Sequence, residues 1–356
     1  MLSIAGNKLS EALKIASQAA AARSPIDILT HLRLQGEAGG TTLAVTGSDI
    51  SLTVIATVPA SIGPDDVDIC LPADKLQAVA SMGAASVIFT KKDSKVIARA
   101  GSCRLTIPAL PGGNYPEVKI EGKPTALFDA PGLTALIPTV AFAVAGPKEH
   151  ARPYLRNLWV ESDGTAIHVT ASDGAMLASN CLPVATSEFG IPISAEGAEL
   201  FASIGVEQFQ IFERHIVGQR AGVKVICNRP QAKYFEWRRA LPNPTEHVAF
   251  RREDLLQVCP LHRLFDTKGI VRFEQDYDVC SISITDGNQA VDAELEIKER
   301  GEESHLEGAF DGPNLLRLLG QVKTESVLIS WADSEKPGAY LLQDGSWRGL
   351  LMPLRA

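Results

Sequence analysis

Three copies of one short phrase hold many of the residues that could do chemistry. Val45-Thr46-Gly47-Ser48-Asp49, Val169-Thr170-Ala171-Ser172-Asp173-Gly174 and Ile282-Ser283-Ile284-Thr285-Asp286-Gly287 each run alternating apolar and small or hydroxyl residues into an aspartate. A hydroxyl near a carboxylate is raw material for a hydrolase, and the chain's seven histidines could supply a base. Yet the sequence has no G-x-S-x-G elbow, no H-E-x-x-H pair and no P-loop. Three equivalent active sites in one chain would be unusual, whereas Asp makes good turns because its side chain accepts from backbone amides just ahead of it. The phrase therefore reads as a strand entering a turn, in a protein that is not an enzyme and uses no cofactor or metal.

The other reactive residues give the same answer. Cys70, Cys103, Cys181, Cys227, Cys259 and Cys280 are scattered without a C-x-x-C pair, mostly in apolar patterns, which favours buried free thiols over disulfides or zinc. Arg238-Arg239 beside Trp237 could stack on nucleic-acid bases. It also falls at a junction between predicted domains, where a structural reading competes.

The aspartates stand at 49, 173 and 286, so the phrase recurs at the spacing of a small domain rather than of a solenoid repeat. The predicted elements around it keep one order. Each third opens with a strand and a helix: 2–4 then 8–19, 126–128 then 131–143, 248–250 then 252–264. A strand precedes each phrase, over 28–34, 155–160 and 269–273. A second strand and helix follow it: 68–71 then 73–81, 190–193 then 196–204, 305–310 then 313–322. The expected class is α+β, three tandem copies of a domain that packs two helices on antiparallel sheets, with boundaries at 1–120, 124–244 and 246–356.

Composition agrees with a folded chain, 45% apolar and 21% charged. No apolar run is long enough to span a membrane and no signal segment follows Met1, so the expectation is a cytoplasmic protein with no membrane partner. A net charge of −8 argues against a surface that attracts nucleic acid everywhere.

The layout resembles one family from Met1 to Ala356: the bacterial sliding clamp, the beta subunit of DNA polymerase III. Arg23-Ser24-Pro25-Ile26-Asp27-Ile28-Leu29 is similar to the family's segment before its first central strand, and Leu71-Pro72-Ala73-Asp74-Lys75-Leu76 to its Pro-Ala helix start. Leu110-Pro111-Gly112-Gly113-Asn114-Tyr115-Pro116 resembles the close of the first domain, and Arg152-Pro153-Tyr154-Leu155-Arg156-Asn157 a stretch of the second. Ser172-Asp173-Gly174 with Leu177-Ala178 resembles Thr-Asp-Gly-His-Arg-Leu-Ala, and Met352-Pro353-Leu354-Arg355 the closing Met-Pro-Met-Arg.

The resemblance implies a head-to-tail homodimer closed into a six-domain ring around double-stranded DNA. A ring holds DNA by topology, so an acidic exterior with a modestly basic bore fits the charge, and tight phosphate binding would hinder sliding. Arg23, Arg152, Tyr154, Lys75 and Arg252 are the implied DNA-facing residues. Lys8, Lys14, Arg251, Arg317 and Lys323 are further helix cations whose simpler reading is a solvated face. Glu196 stands where the family has a basic residue. Leu105 and Ile107 are implied to meet the partner copy's Leu264 and Phe265, against the alternative of core packing within a domain.

A partner-peptide pocket is implied at Leu155, Ser172, Gly174, Ala175, Met176, Leu177, Arg239, Ala240, Asn314, Met352, Pro353, Leu354 and Arg355. Its implied partners are the replicative polymerase alpha subunit, the clamp loader and other proteins with a clamp-binding motif. A Met-lined apolar hollow can repack around several partners. This chain departs from the family there: Ala175-Met176 replaces His-Arg, Tyr234-Phe235-Glu236-Trp237 replaces Phe-Pro-Asp-Tyr, and Asn314 stands in the place of a Tyr. The peptide preference is therefore expected to differ from the usual glutamine-led motif. An accessory or decoy clamp that binds replication factors without supporting synthesis is the alternative reading.

Overall fold

The computed structural model describes residues 1–146, 152–265, 269–285, 289–332 and 338–354. The fold is α+β, with every paired strand antiparallel and short helices on the sheets. The chain divides into two compact units, Met1–Thr134 with Glu196–Pro230, and Ala135–Ala195 with Gln231–Ala356. The middle third of the sequence thus contributes to both.

In the first unit, helix Gly6–Ala16 sets Leu9, Ala12, Leu13 and Ala16 on one face at three- and four-residue spacing. All four are buried against Leu32, Leu34, Leu43 and Val45 of the sheet and Leu76 and Val79 of helix Ala73–Ser81. Removing a side chain such as Leu13 would cost about 2–5 kcal/mol. Among the described residues a five-stranded sheet runs in the order Ser61–Ile62, Leu2–Ala5, Ser86–Lys92, Lys95–Ala100, Cys103–Pro108. A nine-stranded sheet brings Leu52–Pro59 against Val223–Asn228, with Leu52 opposite Cys227 and Ala56 opposite Val223.

The second unit carries a twelve-stranded sheet among its described residues. Here Met176–Leu182 pairs with Trp347–Leu351, Met176 opposite Leu351 and Ser179 opposite Arg348. In each unit, then, the strand that leaves a copy of the repeated phrase pairs with a strand far along the chain.

Several elements differ from the sequence expectation, and most differences trace to proline or to tightly wound turns. The helix expected over 131–143 forms as two single turns, Leu133–Leu136 and Pro138–Ala141, because Pro138 has no amide to donate. That expected over 252–264 is α-helical only at Arg252–Val258 and continues as a 3-10 helix from Cys259, beside Pro260. The strands expected from 28 and 155 start later, after 3-10 turns at Asp27–Thr30 and Pro153–Arg156. Of the cysteines, Cys70, Cys227, Cys259 and Cys280 are buried, Cys181 is half-buried and Cys103 is exposed. Burial pushes the Cys70, Cys259 and Cys280 thiols up to about 12.

Two copies of the phrase close the same turn. Asp49 Oδ1 accepts from the amides of Ser51 (2.9 Å) and Leu52 (2.7 Å), and Asp173 Oδ1 from those of Ala175 and Met176 (both 2.8 Å). Ser48 Oγ donates to the Leu52 carbonyl (3.1 Å), as Ser172 Oγ does to that of Met176 (2.7 Å). The third copy's Asp286-Gly287 lies outside the described residues. Gly47 replaces the Ala171 of the second copy because a Cβ there would stand 2.0 Å from the Ala16 carbonyl oxygen.

The turn needs a left-handed residue after its Asp. Gly174 supplies it at φ +94°. The first copy places Ile50 there at φ +81°, a β-branched side chain in a region that costs about 1–2 kcal/mol. Ile50 is 45% exposed, so little packing opposes its removal. Ile50→Gly is expected to raise the urea midpoint, by up to about 1 kcal/mol after the added freedom of an unfolded glycine is subtracted. A lowered midpoint would show that the Ile50 side chain contributes more than the strain.

Candidate functional site

The second phrase copy sits inside the second unit, and other parts of that unit converge on it. Ser172 is buried, Gly174 and Ala175 are exposed at the turn, and Met176 and Leu177 point inward at 1% exposure each. Leu155, also buried, lies on the turn Pro153–Arg156, and a Cβ on Gly174 would meet its Cδ1 at 3.5 Å and Arg152 Nη1 at 4.0 Å. The end of the described chain closes the other side. The Met352 amide donates to the Ala175 carbonyl at 2.9 Å, and the Leu354 amide to that of Ala309 at 2.7 Å. The backbone is thus fixed while the Met352 and Leu354 side chains stay about 40% and 39% exposed. Turn, Leu155 and tail make a surface with apolar side chains held open to solvent.

Leu177 links this surface to a buried cluster with Trp237, Ala339, Leu341 and Leu350, against which Phe235 and Leu241 pack. Arg239 and Ala240, on the 3-10 turn Trp237–Ala240, are exposed, and Arg239 pairs with Glu236 at 2.5 Å. Asn314 is half-buried in the first turn of helix Gly312–Leu319, where its amide donates to the Asp311 carboxylate at 3.0 Å. Arg355 lies outside the described residues.

One group escaped sequence reasoning. Glu161, on strand Asn157–Ser162, is only 6% exposed, yet its carboxylate accepts from three side chains of the 234–238 segment. Tyr234 Oη donates to Oε2 at 2.5 Å, Trp237 Nε1 to Oε1 at 3.0 Å, and Arg238 Nη1 also to Oε1. Partial burial and then the Glu161 hydrogen bond push the Tyr234 phenol up to about 12, so it remains a donor at neutral pH. The available signal was a glutamate between Val160 and Ser162 in an otherwise apolar strand pattern.

The predicted DNA-facing cations are exposed to different degrees. Arg23 and Arg152 are exposed, Lys75 pairs with Asp74 at 3.0 Å, and Arg252 is half-buried with its Nε–H donated to the Val322 carbonyl at 2.7 Å. Lys8 pairs with Glu11 at 2.7 Å, and Lys323 Nζ donates to the Gly320 carbonyl. Tyr154 is half-buried, 5.9 Å from the Phe235 ring. At the predicted interface, Leu105 is half-buried and Ile107 fully buried in the first unit's core, while Leu264 is 68% exposed and Phe265 7%. Among the described residues no cluster of His, Cys, Asp or Glu could hold a metal, and no helix is long and apolar enough to cross a membrane.

Residues 1–119 match the family model described as the DNA polymerase III beta subunit, N-terminal domain. A beta sliding clamp from Caulobacter vibrioides is 24% identical over 356 residues, 94% of each chain. The crystal structure of the DNA polymerase III subunit beta from Pseudomonas aeruginosa superposes with a TM-score of 0.91 at 21% identity, covering 100% of both chains. The DNA polymerase sliding clamp from Bacillus subtilis gives 0.88 at 18% identity, over 100% of this chain and 99% of that one.

A third hairpin repeats the turn at the other end of strand Ile167–Ser172. Asp163 Oδ1 accepts from the Thr165 and Ala166 amides (both 2.9 Å), and its Oδ2 meets His168 Nε2 at 2.9 Å. The His168 hydrogen bond, then those of Thr165 and Ala166, holds Asp163 well below the usual carboxylate range. A depressed folded pKa contributes stability above the unfolded value, and that contribution fades as pH falls below about 4. Asp163→Asn is therefore expected to be less stable than the unmodified chain at pH 7, with the gap closing in acid. A gap that is constant from pH 7 to pH 2 would contradict the assignment.

Proposed function

We propose that this chain, a divergent member of the DNA polymerase III beta-subunit family, is a DNA polymerase processivity factor that works as a sliding clamp. Two copies close head to tail into a ring around duplex DNA, and each copy is built from the three repeats at 1–120, 124–244 and 246–356. The role is to tether other proteins, not to catalyse. Partners, among them the polymerase alpha subunit and the clamp loader, dock through short segments on the surface formed by Leu155, the 172–177 turn and the 352–354 tail. Its half-exposed Met and Leu side chains beside a fixed backbone suit an apolar peptide side chain. Arg23 and Arg152, both exposed, are the favoured DNA-facing cations.

The observation that carries ring closure is a pair of strand edges with opposite charge. Among the described residues, strand Cys103–Pro108 pairs with Lys95–Ala100 on one side only, and Arg104, with Arg99 and Lys95 of the neighbouring strand, is exposed. In strand Ala290–Arg300 the stretch from 290 to 296 pairs, among the described residues, only with Val279–Thr285, and Glu246–Arg251 takes the other side from Ile297 onward. Asp292, Glu294 and Glu296 are exposed along it. An unpaired edge recruits a strand, and opposite charges choose which one.

Light scattering tests this reading. The unmodified chain is expected at twice the 38.1 kDa chain mass, and Leu105→Asp at the single mass. Because Leu105 packs partly against the core, Arg104→Glu on the exposed face serves as the second variant, expected to dissociate at higher concentration than the unmodified dimer. A monomeric unmodified protein, or unchanged dimers in both variants, would overturn the interface.

A further inference from the structure

We propose that Glu161 is the positioning residue of the docking surface, the anchor that fixes the 234–241 segment so that its apolar side chains pack behind Leu177. The inference rests on the docking reading above and concerns what holds that surface in shape. Residues 229–236 carry no helix or strand, and the segment then makes a single 3-10 turn. The turn bonds of this stretch, Trp237 to Phe235, Arg239 to Glu236 and Leu241 to Arg238, all stay within it. Beyond the Arg229 amide, which donates to the Arg214 carbonyl at the start of the stretch, strand pairing does not hold it among the described residues, and the side chains of 234–238 reach the sheet at one carboxylate.

That carboxylate has the required capacity. Its two oxygens offer about four acceptor sites, and the three donors from Tyr234, Trp237 and Arg238 fill most of them. Aromatic contacts set the orientation: Tyr234 stands edge-on to Trp159 at 5.4 Å, and the Arg238 guanidinium lies over the Trp237 ring at 4.4 Å. Trp237 is 2% exposed and shares its cluster with Leu177, while Phe235 and Leu241 pack against the same group. Of the residues tied to Glu161, Trp237 is thus the one that packs with Leu177, and Tyr234 and Arg238 hold it from either side in sequence. Two of the three, Tyr234 and Trp237, belong to the stretch that departs from the pattern of the resembled family, so the altered segment carries its own anchor.

The chemistry separates two substitutions. In Glu161→Gln the side-chain carbonyl still accepts from Trp237 and Arg238, and the amide donates to the Tyr234 oxygen. In Glu161→Leu all three donors lose this acceptor, and the buried Trp237 Nε1–H is left without one, while the exposed Tyr234 and Arg238 turn to water and release the segment. The double variant Tyr234→Phe with Arg238→Met leaves Glu161 in place with one donor, and covers the case in which Glu161→Leu does not fold.

Two readouts are compared on the full-length protein: trypsin cleavage after Arg239, followed by mass, and binding of fluorescein-labelled pentapeptides carrying two adjacent bulky apolar residues, the glutamine-led motif among them. The unmodified chain and Glu161→Gln are expected to bind within about threefold of each other and resist cleavage. Glu161→Leu and the double variant are expected to lose about tenfold or more in affinity and to be cleaved at least about tenfold faster, with dimer mass unchanged. Faster cleavage with unchanged affinity would show that the segment does not hold the site in shape. Weaker binding with unchanged cleavage would show that Glu161 does not anchor it. An unmodified chain that binds no peptide of the set would remove the docking reading itself and this proposal with it.

Discussion

A strand is left with unpaired amides and carbonyls along any edge that has no neighbour, and the pairing of those edges is the constraint on which this molecule depends. Leu52–Pro59 finds its partner in Val223–Asn228, and Met176–Leu182 in Trp347–Leu351. Each pairing spans well over a hundred residues of sequence, so each sheet is completed only when distant parts of the chain meet. The same register recurs: Leu52 faces Cys227 as Met176 faces Leu351. The repeated Ser-Asp turn makes this possible by reversing the chain immediately before the strand that must pair. Its side-chain bonds satisfy the amides that the reversal leaves open.

The proposed docking surface follows from the same arrangement. Because Met176 pairs with Leu351, the next amide, that of Met352, falls on the Ala175 carbonyl and the tail is carried past the turn. The corresponding position in the first unit is taken by Asn228, whose amide donates to the Ser51 carbonyl at 2.9 Å. Two residues beyond Ser51 stands Thr53, opposite Ile226 and buried with its hydroxyl 2.8 Å from Ser48 Oγ, where the second unit has apolar Leu177 opposite Leu350. One scaffold therefore yields a polar junction in one unit and an apolar one in the other. The difference lies in a few side chains, and the apolar junction is the copy that the resemblance to the clamp family marks for partners.

Much of this was legible in the sequence. The phrase itself announced its turn, because an Asp after alternating apolar and hydroxyl residues can close a turn with its own side chain. The element order came from apolar periodicity. Other features depended on tertiary placement. That Ile50 rather than a glycine occupies the left-handed position could be read from its alignment with Gly174, but not that the fold tolerates the strain. That the middle third contributes to two separate sheets has no local signal at all. Glu161 was hidden for a related reason: a lone acidic residue in a strand looks like a solvent-facing position until its three donors, more than 70 residues away in sequence, are brought to it.

The central claim is that two such chains enclose DNA without gripping it. Net charge −8 and the ion pairs that occupy Lys8 and Lys75 both fit weak phosphate contact. The most direct measurement is retention on nicked circular duplex after loading with a clamp loader, followed by a wash at high salt and then linearisation. The account predicts that the protein survives the salt wash on the circle and is released when the circle is cut. Equal retention on linear and circular DNA, or loss from the circle in salt, would contradict it.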